Sequence, residues 1–325
     1  MQITPSNLSF FFSSLETRFW TAYGTAPKWI DRVATTVPCP TEQWVSGWEN
    51  MLAVVREWTG GRTVHTPGLQ TYVVQIQNFE LTYGVDQFKI MDDTYGIYYP
   101  TVSMMGENIA KWPDYQMRDL LQNTGSQTGT RQYGLDGGAH WSASHPVDYY
   151  DAAKGTYCND FGTSGVSVNG VTVGGYLSPT AFSTLWEHNA SLKSESGEAL
   201  GIIPDLTMVP PQLKQPAQTI LQTQFFAPQS WGGTTMVGAT ENVLKGWTDI
   251  LVVPDLAAAP TAWYMLTCNR PMKPFTWLLN MAPNFVYRIQ PDDPVVFDQH
   301  TYLYGSVMRG APAWSHAWLS SRSGV

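Results

Sequence analysis

The stretch Leu52-Ala-Val-Val-Arg-Glu-Trp58-Thr-Gly-Gly-Arg62 leads through Pro67-Gly68 to Thr71-Tyr72-Val73-Val74-Gln75-Ile76 and Phe79-Glu80-Leu81-Thr82-Tyr83, and it decides how the rest of the chain is read. Two runs rich in β-branched and aromatic residues flank a turn dipeptide, the pattern of a β-hairpin. A lone hairpin is marginal in water, and its unpaired edges invite another chain. The arm from Leu52 to Gly96 therefore predicts a partner, most simply a neighbouring copy. Arg56, Glu57 and Arg62 around Trp58 have the aromatic and arginine composition of an interface anchor, and Tyr72, Val74 and Ile76 supply the apolar side of the returning strand.

Composition points the same way. Of 325 residues, 14% are charged and 13% aromatic, with 14 Trp, 16 Tyr and 13 Phe. An ordinary soluble domain carries roughly 25% charged residues. Few charges and many aromatics suit a protein that hides surface in contacts, although a Trp-rich carbohydrate-binding surface has the same composition. The net charge of −8 and the lack of a basic run exclude tight wrapping of nucleic acid, which needs clustered Lys and Arg. Cys39, Cys158 and Cys268 form neither a CxxC pair nor an even set, so no disulfide framework or zinc knuckle is expected. No apolar leader or membrane-length run is present, and the expectation is a soluble protein with no membrane association.

Before the arm, Thr4 and Pro5 open a helix that Gly24 and Pro27 close. Leu8, Phe11, Phe12, Leu15, Phe19 and Tyr23 form its apolar face, which docks on its own domain or on a neighbour with equal plausibility. The chain from Thr35 to Trp48 reads as irregular. After the arm, Ile97 to Asn123 is the longest helical pattern, and Pro113 is expected to kink or interrupt it. Asp92 and Asp93 are expected to cap it. Residues 125–176 read as loop-rich, Ser178-Pro179 and Pro211 start helices, and Leu200–Val209 is a buried strand. From Ile250 onward the pattern is mostly β: 250–253, 263–266, 275–279, 285–289 and 302–308. Helices and strands mix without alternating, which favours an α+β class.

Catalytic and ligand chemistry finds little support. No phosphate loop or dinucleotide fingerprint occurs, and Gly162–Gly165 is not a nucleophile elbow. His140 and His145 beside Asp136 and Asp148 form no standard metal motif, so isolated turn histidines are favoured over ligands. No cofactor and no enzymatic activity are expected.

The chain resembles the Mu-like major head subunit gpT family, the major capsid proteins of Mu-related tailed phages. The resemblance rests on Ile3-Thr4-Pro5 with Leu8, Ala26-Pro27 with Trp29, and Arg56-Glu57-Trp58 with Gly60 and Arg62. It continues through Tyr72 with Phe79-Glu80, Asp92-Asp93 with Tyr95-Gly96 and Tyr98, Trp112-Pro113-Asp114, and His145-Pro146-Val147. Toward the C-terminus it is carried by Arg270-Pro271-Met272-Lys273-Pro274 and Tyr302-Leu303-Tyr304-Gly305. It implies an HK97-like major capsid protein fold: an N-terminal arm (1–34), an extended loop reaching over a neighbour (35–95), a peripheral domain with a spine helix (96–175), an axial domain (176–265) and return strands (266–325). Residues 148–176 stand out as an added Gly-rich segment.

The resemblance also implies a shell of pentamers and hexamers around packaged double-stranded DNA, in a virion assembled in the bacterial cytoplasm. A separate scaffolding protein, a portal and decoration proteins would be its partners. An encapsulin-like compartment is the alternative within the fold, and a carbohydrate-binding module the alternative outside it. Phe11, Phe12, Leu15, Phe19, Arg56, Glu57, Trp58, Arg62, Tyr72, Val74 and Ile76 are the expected contacts between subunits.

Overall fold

The computed structural model describes residues 4–47, 71–92, 96–122, 134–148, 151–226, 230–231, 234–235 and 240–325. Chain order begins α1 (Pro5–Thr25), α2 (Ile30–Val33), β1 (Ala34–Pro38), β2 (Gln43–Gly47), β3 (Thr71–Gln75), β4 (Gln77–Asp86), α3 (Gln87–Asp92) and α4 (Tyr98–Gln122). Next come β5 (His145–Pro146), β6 (Thr156–Tyr157), β7 (Val166–Val168), β8 (Val171–Val173), α5 (Pro179–Ala190), β9 (Leu206–Val209) and α6 (Lys214–Leu221). The short pieces β10 (Phe225–Phe226), β11 (Ser230–Trp231), β12 (Thr234–Thr235) and β13 (Thr240–Glu241) precede β14 (Asp249–Val252) and β15 (Trp263–Leu266). The chain closes with β16 (Phe275–Arg288), α7 (Pro294–Gln299), β17 (Thr301–Trp314) and β18 (Ser320–Ser323).

Two four-stranded sheets organise these elements. The first has the order β1-β16-β17-β4. Its centre is the antiparallel pair β16 and β17, and β1 runs parallel to only the first part of β16, Phe275–Leu279. The helix α1 starts where the sequence said it would: Thr4 Oγ1 accepts the Asn7 N–H at 3.3 Å, and Pro5 sits in the first turn. Its buried face packs on α4 and on the sheet, with Phe12 stacked on Tyr287 and Phe19 against Phe285. The crossing is close because position 106 of α4 is glycine. A Cβ there would lie 2.5 Å from the Phe19 carbonyl oxygen.

The second sheet has the order β14-β9-β15-β18. Every residue of β9 and β15 is buried, so alternate side chains enter two cores. Val209, Trp263 and Met265 face Phe182 and Leu185 of α5 and Ile220 and Leu221 of α6. Leu206, Met208, Tyr264 and Leu266 join the large core shared with α1, α4 and the first sheet. An unbroken apolar run marks a strand covered on both faces, and Trp263-Tyr-Met-Leu266 shows it.

Several local expectations are corrected. The span read as irregular between Thr35 and Trp48 contains β1 and β2, with β2 pairing antiparallel to β3. The returning limb of the arm is two strands in different sheets: β3 stays with β2, whereas β4 pairs with β17 along its whole length. The segment then turns into α3, capped by Asp86, whose Oδ1 accepts the N–H groups of Phe88 and Lys89. Asp92 closes α3 instead of capping α4, and Asp93 lies outside the described residues. Pro113 does not interrupt α4.

Leu200 to Val209 is strand only from Leu206, and 275–279 with 285–289 form one strand with register shifts between Leu279 and Asn284. The part of 134–176 that is described is more ordered than its composition suggested. Asn169 and Gly170, both at positive φ (51° and 82°), turn β7 into β8. An Asn-Gly pair with both residues left-handed is the two-residue turn that matches strand twist.

Candidate assembly surfaces

The apolar residues expected at subunit contacts are consumed by the fold of one chain. Phe12, Leu15 and Phe19 have no exposed surface and Phe11 retains 8%. Tyr72, Val74 and Ile76 are likewise buried. Tyr72 lies at the inner face of the β2–β3 hairpin, and its hydroxyl oxygen accepts the Trp314 N–H at 3.2 Å. Arg56, Glu57, Trp58 and Arg62 lie outside the described residues.

What these elements offer outward is different. In β2 and β3, Trp44 opposes Val74 on the inner face, and Val45 opposes Val73 on the outer one. Val45 is 60% exposed. On α1 the outward aromatics are Phe10 and Trp20. Sequence reasoning missed Val45 because β2 went unrecognised; the alternation from Trp44 to Val45 was the available signal.

Three elements meet at Asp114 of α4. Its carboxylate oxygens accept the N–H of Trp29 at 3.2 Å and of Ile30 at 2.9 Å, where the chain leaves α1 and begins α2. The Trp29 indole N–H donates to Asp255 Oδ2 at 2.9 Å, in the short turn after β14. Burial, partly offset by the two backbone N–H groups, raises the Asp114 carboxyl to about 6.

The histidines favoured as turn residues are buried structural groups. His145 Nδ1 lies 2.6 Å from Asp136 Oδ2, and its Nε2 lies near the His140 carbonyl and Asn159 Oδ1. Asn159 Nδ2 in turn donates to the carbonyls of His140 and Ala317, so residues 136–145, 159 and 317 are tied together. The His140 ring stacks on Trp314 at 3.9 Å, and burial, reinforced by His145, holds its imidazole well below the usual value. Among the described residues no group of three His, Cys, Asp or Glu is arranged to hold a metal.

A polar cleft of about 330 Å³ is lined by Asp31, Arg32, Asp205, Asp249, Cys268 and Lys273. Arg32 pairs with Asp249 at 3.4 Å, and Asp205 Oδ1 accepts the Cys268 N–H. Burial and then Asp205 push the Cys268 thiol up to about 12. A thiol held in that state is a poor nucleophile, so the cleft is a charged seam between β1–α2 and the second sheet.

A spine helix under a long-stranded sheet, joined to a second sheet through a shared core, defines the class: this is the HK97-like α+β fold of phage capsid proteins. A chain of the bacteriophage JBD30 procapsid superposes with a TM-score of 0.57 at 23% identity, over 99% of this chain and 76% of that one. A chain of the JBD30 capsid gives 0.51 at 16% identity, over 99% and 73%. The family model for the Mu-like prophage major head subunit gpT matches residues 8–169, 171–256 and 252–323, and the chain belongs to that family. A major capsid protein of Escherichia phage Mu is 29% identical over 156 residues, 48% of this chain. The aligned part spans about half of that relative's length.

Proposed function

We propose that the chain is the major head protein of a tailed bacteriophage, self-assembling as pentamers and hexamers into the icosahedral shell that encloses its double-stranded DNA. The family match from residue 8 to residue 323 carries this reading. The capsid fold supports it, as does a surface whose outward apolar residues, Val45, Phe10 and Trp20, need covering. Residues 1–34 then act as the arm, the loop within 35–95 reaches over a neighbour, 96–175 with the long strands form the peripheral domain, and 176–265 form the axial domain. The mechanism is burial of surface by many weak contacts made cooperative through closure. The protein would act as a structural component of the virion, assembled in the host cytoplasm with a separate scaffold, portal and decoration proteins.

Light scattering and negative-stain microscopy test this on the intact chain and on a variant lacking residues 63–70, each with and without co-expressed scaffold. Capsomers or shells from the intact chain, lost on deletion, are the expected result. A monodisperse monomer in all cases would overturn the reading.

A further inference from the structure

The strand β18 is polar and yet buried. Ser320, Ser321 and Ser323 keep 2% or less of their surface, and the Arg322 side chain keeps 12%. Each of the four is received by a particular group, on alternating faces. On one face Ser320 Oγ lies 3.1 Å from His140 Nε2. There too Arg322 donates to Asp160 through Nη2 at 2.5 Å and Nε at 3.2 Å, with its guanidinium 5.3 Å from the centre of the Trp141 ring. On the other face Ser321 Oγ donates to Asn189 Oδ1 at 2.7 Å, and Ser323 Oγ accepts the Gly175 N–H at 2.7 Å and donates to the Gly175 carbonyl at 2.9 Å.

The backbone of β18 is paired on both edges. β15 takes one of them, antiparallel. Along the other, residues 159–162 run parallel: the Arg322 N–H donates to the Asn159 carbonyl at 2.7 Å, the Phe161 N–H to the Arg322 carbonyl at 2.9 Å, and the Gly324 N–H to the Gly162 carbonyl at 2.8 Å. The result is a closely fitted slot. At Gly324, with φ at 76°, a Cβ would run into the Thr261 carbonyl, and a Cβ on Gly174 would come within 2.7 Å of Ser323 Oγ. Main-chain bonds supply the hold and alternate side-chain partners the selectivity, which is how sheet edges read peptides.

Polar recognition makes this strand separable. The side chains of β15, Trp263-Tyr-Met-Leu266, resist exposure, whereas the hydroxyls and guanidinium of β18 regain hydrogen bonds in water. Upstream, Trp318 and Leu319 are anchored with Tyr157, Leu200 and Ile202 in a cluster of their own, so release stops at Leu319. We infer that the slot between β15 and residues 159–162 is a peptide-binding site for an extended Ser-Ser-Arg-Ser-Gly sequence, filled by the chain's own β18 as a detachable strap. Closed, the strap occupies a sheet edge that a strand of another chain would otherwise join. Open, it leaves the site to the same strand of a second copy.

A fluorescein-labelled synthetic peptide spanning residues 319–325 tests the site on the full chain. Arg322→Glu unseats the chain's own strap, and this variant should bind the peptide at least about tenfold more tightly than the wild-type chain, whose slot is filled. A peptide carrying Arg322→Glu should not bind, and Asp160→Ala added to the variant chain should abolish binding of the wild-type peptide. Equal binding of the two peptides, equal binding by wild-type and variant chains, or no binding by a variant that keeps the wild-type circular dichroism overturns the site. Hydrogen exchange on the wild-type chain decides the matter if the variant misfolds. The amides of Phe161, Gly175, Arg322 and Gly324 should open together, at least about tenfold more often than those shared by β16 and β17. Opening of these four only along with β16 and β17 overturns the strap. Neither measurement needs assembly, so the shell reading stands or falls separately.

Discussion

Asp114 Oδ1 accepts the Ile30 N–H at 2.9 Å, so a carboxylate in the middle of the spine helix fixes the point where the N-terminal helix hands the chain to the first sheet. The companion bond from Trp29, whose indole reaches Asp255, extends the junction to the second sheet. Three segments far apart in sequence are thus joined through two side chains, Asp114 and Trp29.

Asp114→Ala leaves two buried N–H groups unpaired and should cost about 2–6 kcal/mol, at roughly 1–3 kcal/mol per unpaired group. The folded carboxyl is raised to about 6 from 3.8. The folded state therefore holds the proton more tightly, and this contribution is full below about 4 and lost as pH rises through about 6. The stability gap between wild type and variant, measured by urea melts, should be widest near pH 4 and narrow toward pH 7. A gap that widens with pH would contradict the assignment.

Gly106→Ala should destabilise the protein although alanine is the better helix former by about 1 kcal/mol. The new Cβ would meet the Phe19 carbonyl oxygen at 2.5 Å and push α1 off α4. Gly24→Ala, with nothing within 4 Å of its Cβ, should be neutral or slightly stabilising. Thermal melts of the two variants side by side check this, and a Gly106→Ala melt at or above wild type would refute the close crossing.

Burial within the chain separates two neighbours on α1. Phe12→Ala should lower the stability of the unassembled subunit by about 3–5 kcal/mol, the usual cost of emptying a core aromatic site. Phe10→Ser, at a position 78% exposed, should leave it within about 0.5 kcal/mol. Equal losses in the dissociated subunit would mean that the helix faces the other way.

Val45→Asp places a charge on the outer face of the β2–β3 hairpin without touching Trp44 or Val74 inside it. Subunit melting should be unchanged, and particle yield by light scattering should fall at least about tenfold, since an unpaired charge at an interface costs several kcal/mol. Normal particles from Val45→Asp would remove this face from the contact.

Local rules found much of the fold. The Thr4 cap, the Pro5 start, the long helix over Tyr98–Gln122 and the unbroken apolar run at 263–266 were all legible, because each depends on residues within a turn or a strand. The Asn169-Gly170 turn was equally local and was overlooked amid Gly-rich composition. The break between β3 and β4 was not visible, since Gln75 and Gln77 carry no turn signal and only pairing with different partners separates the strands.

By itself, the sequence determined the α+β class, the family and the demand for covered surface, all of which follow from residue types, order and short-range periodicity. It could not assign the covering. Phe12, Phe19, Tyr72 and Val74 had the composition of contacts between copies, and the tertiary structure spent them on α4, β16 and the Trp314 end of β17. Burial is a property of what lies opposite a side chain, and those partners, such as Phe12 and Tyr287, stand hundreds of residues away along the chain. The same long-range geometry exposed Val45 and Phe297, two residues that composition alone would have placed inside.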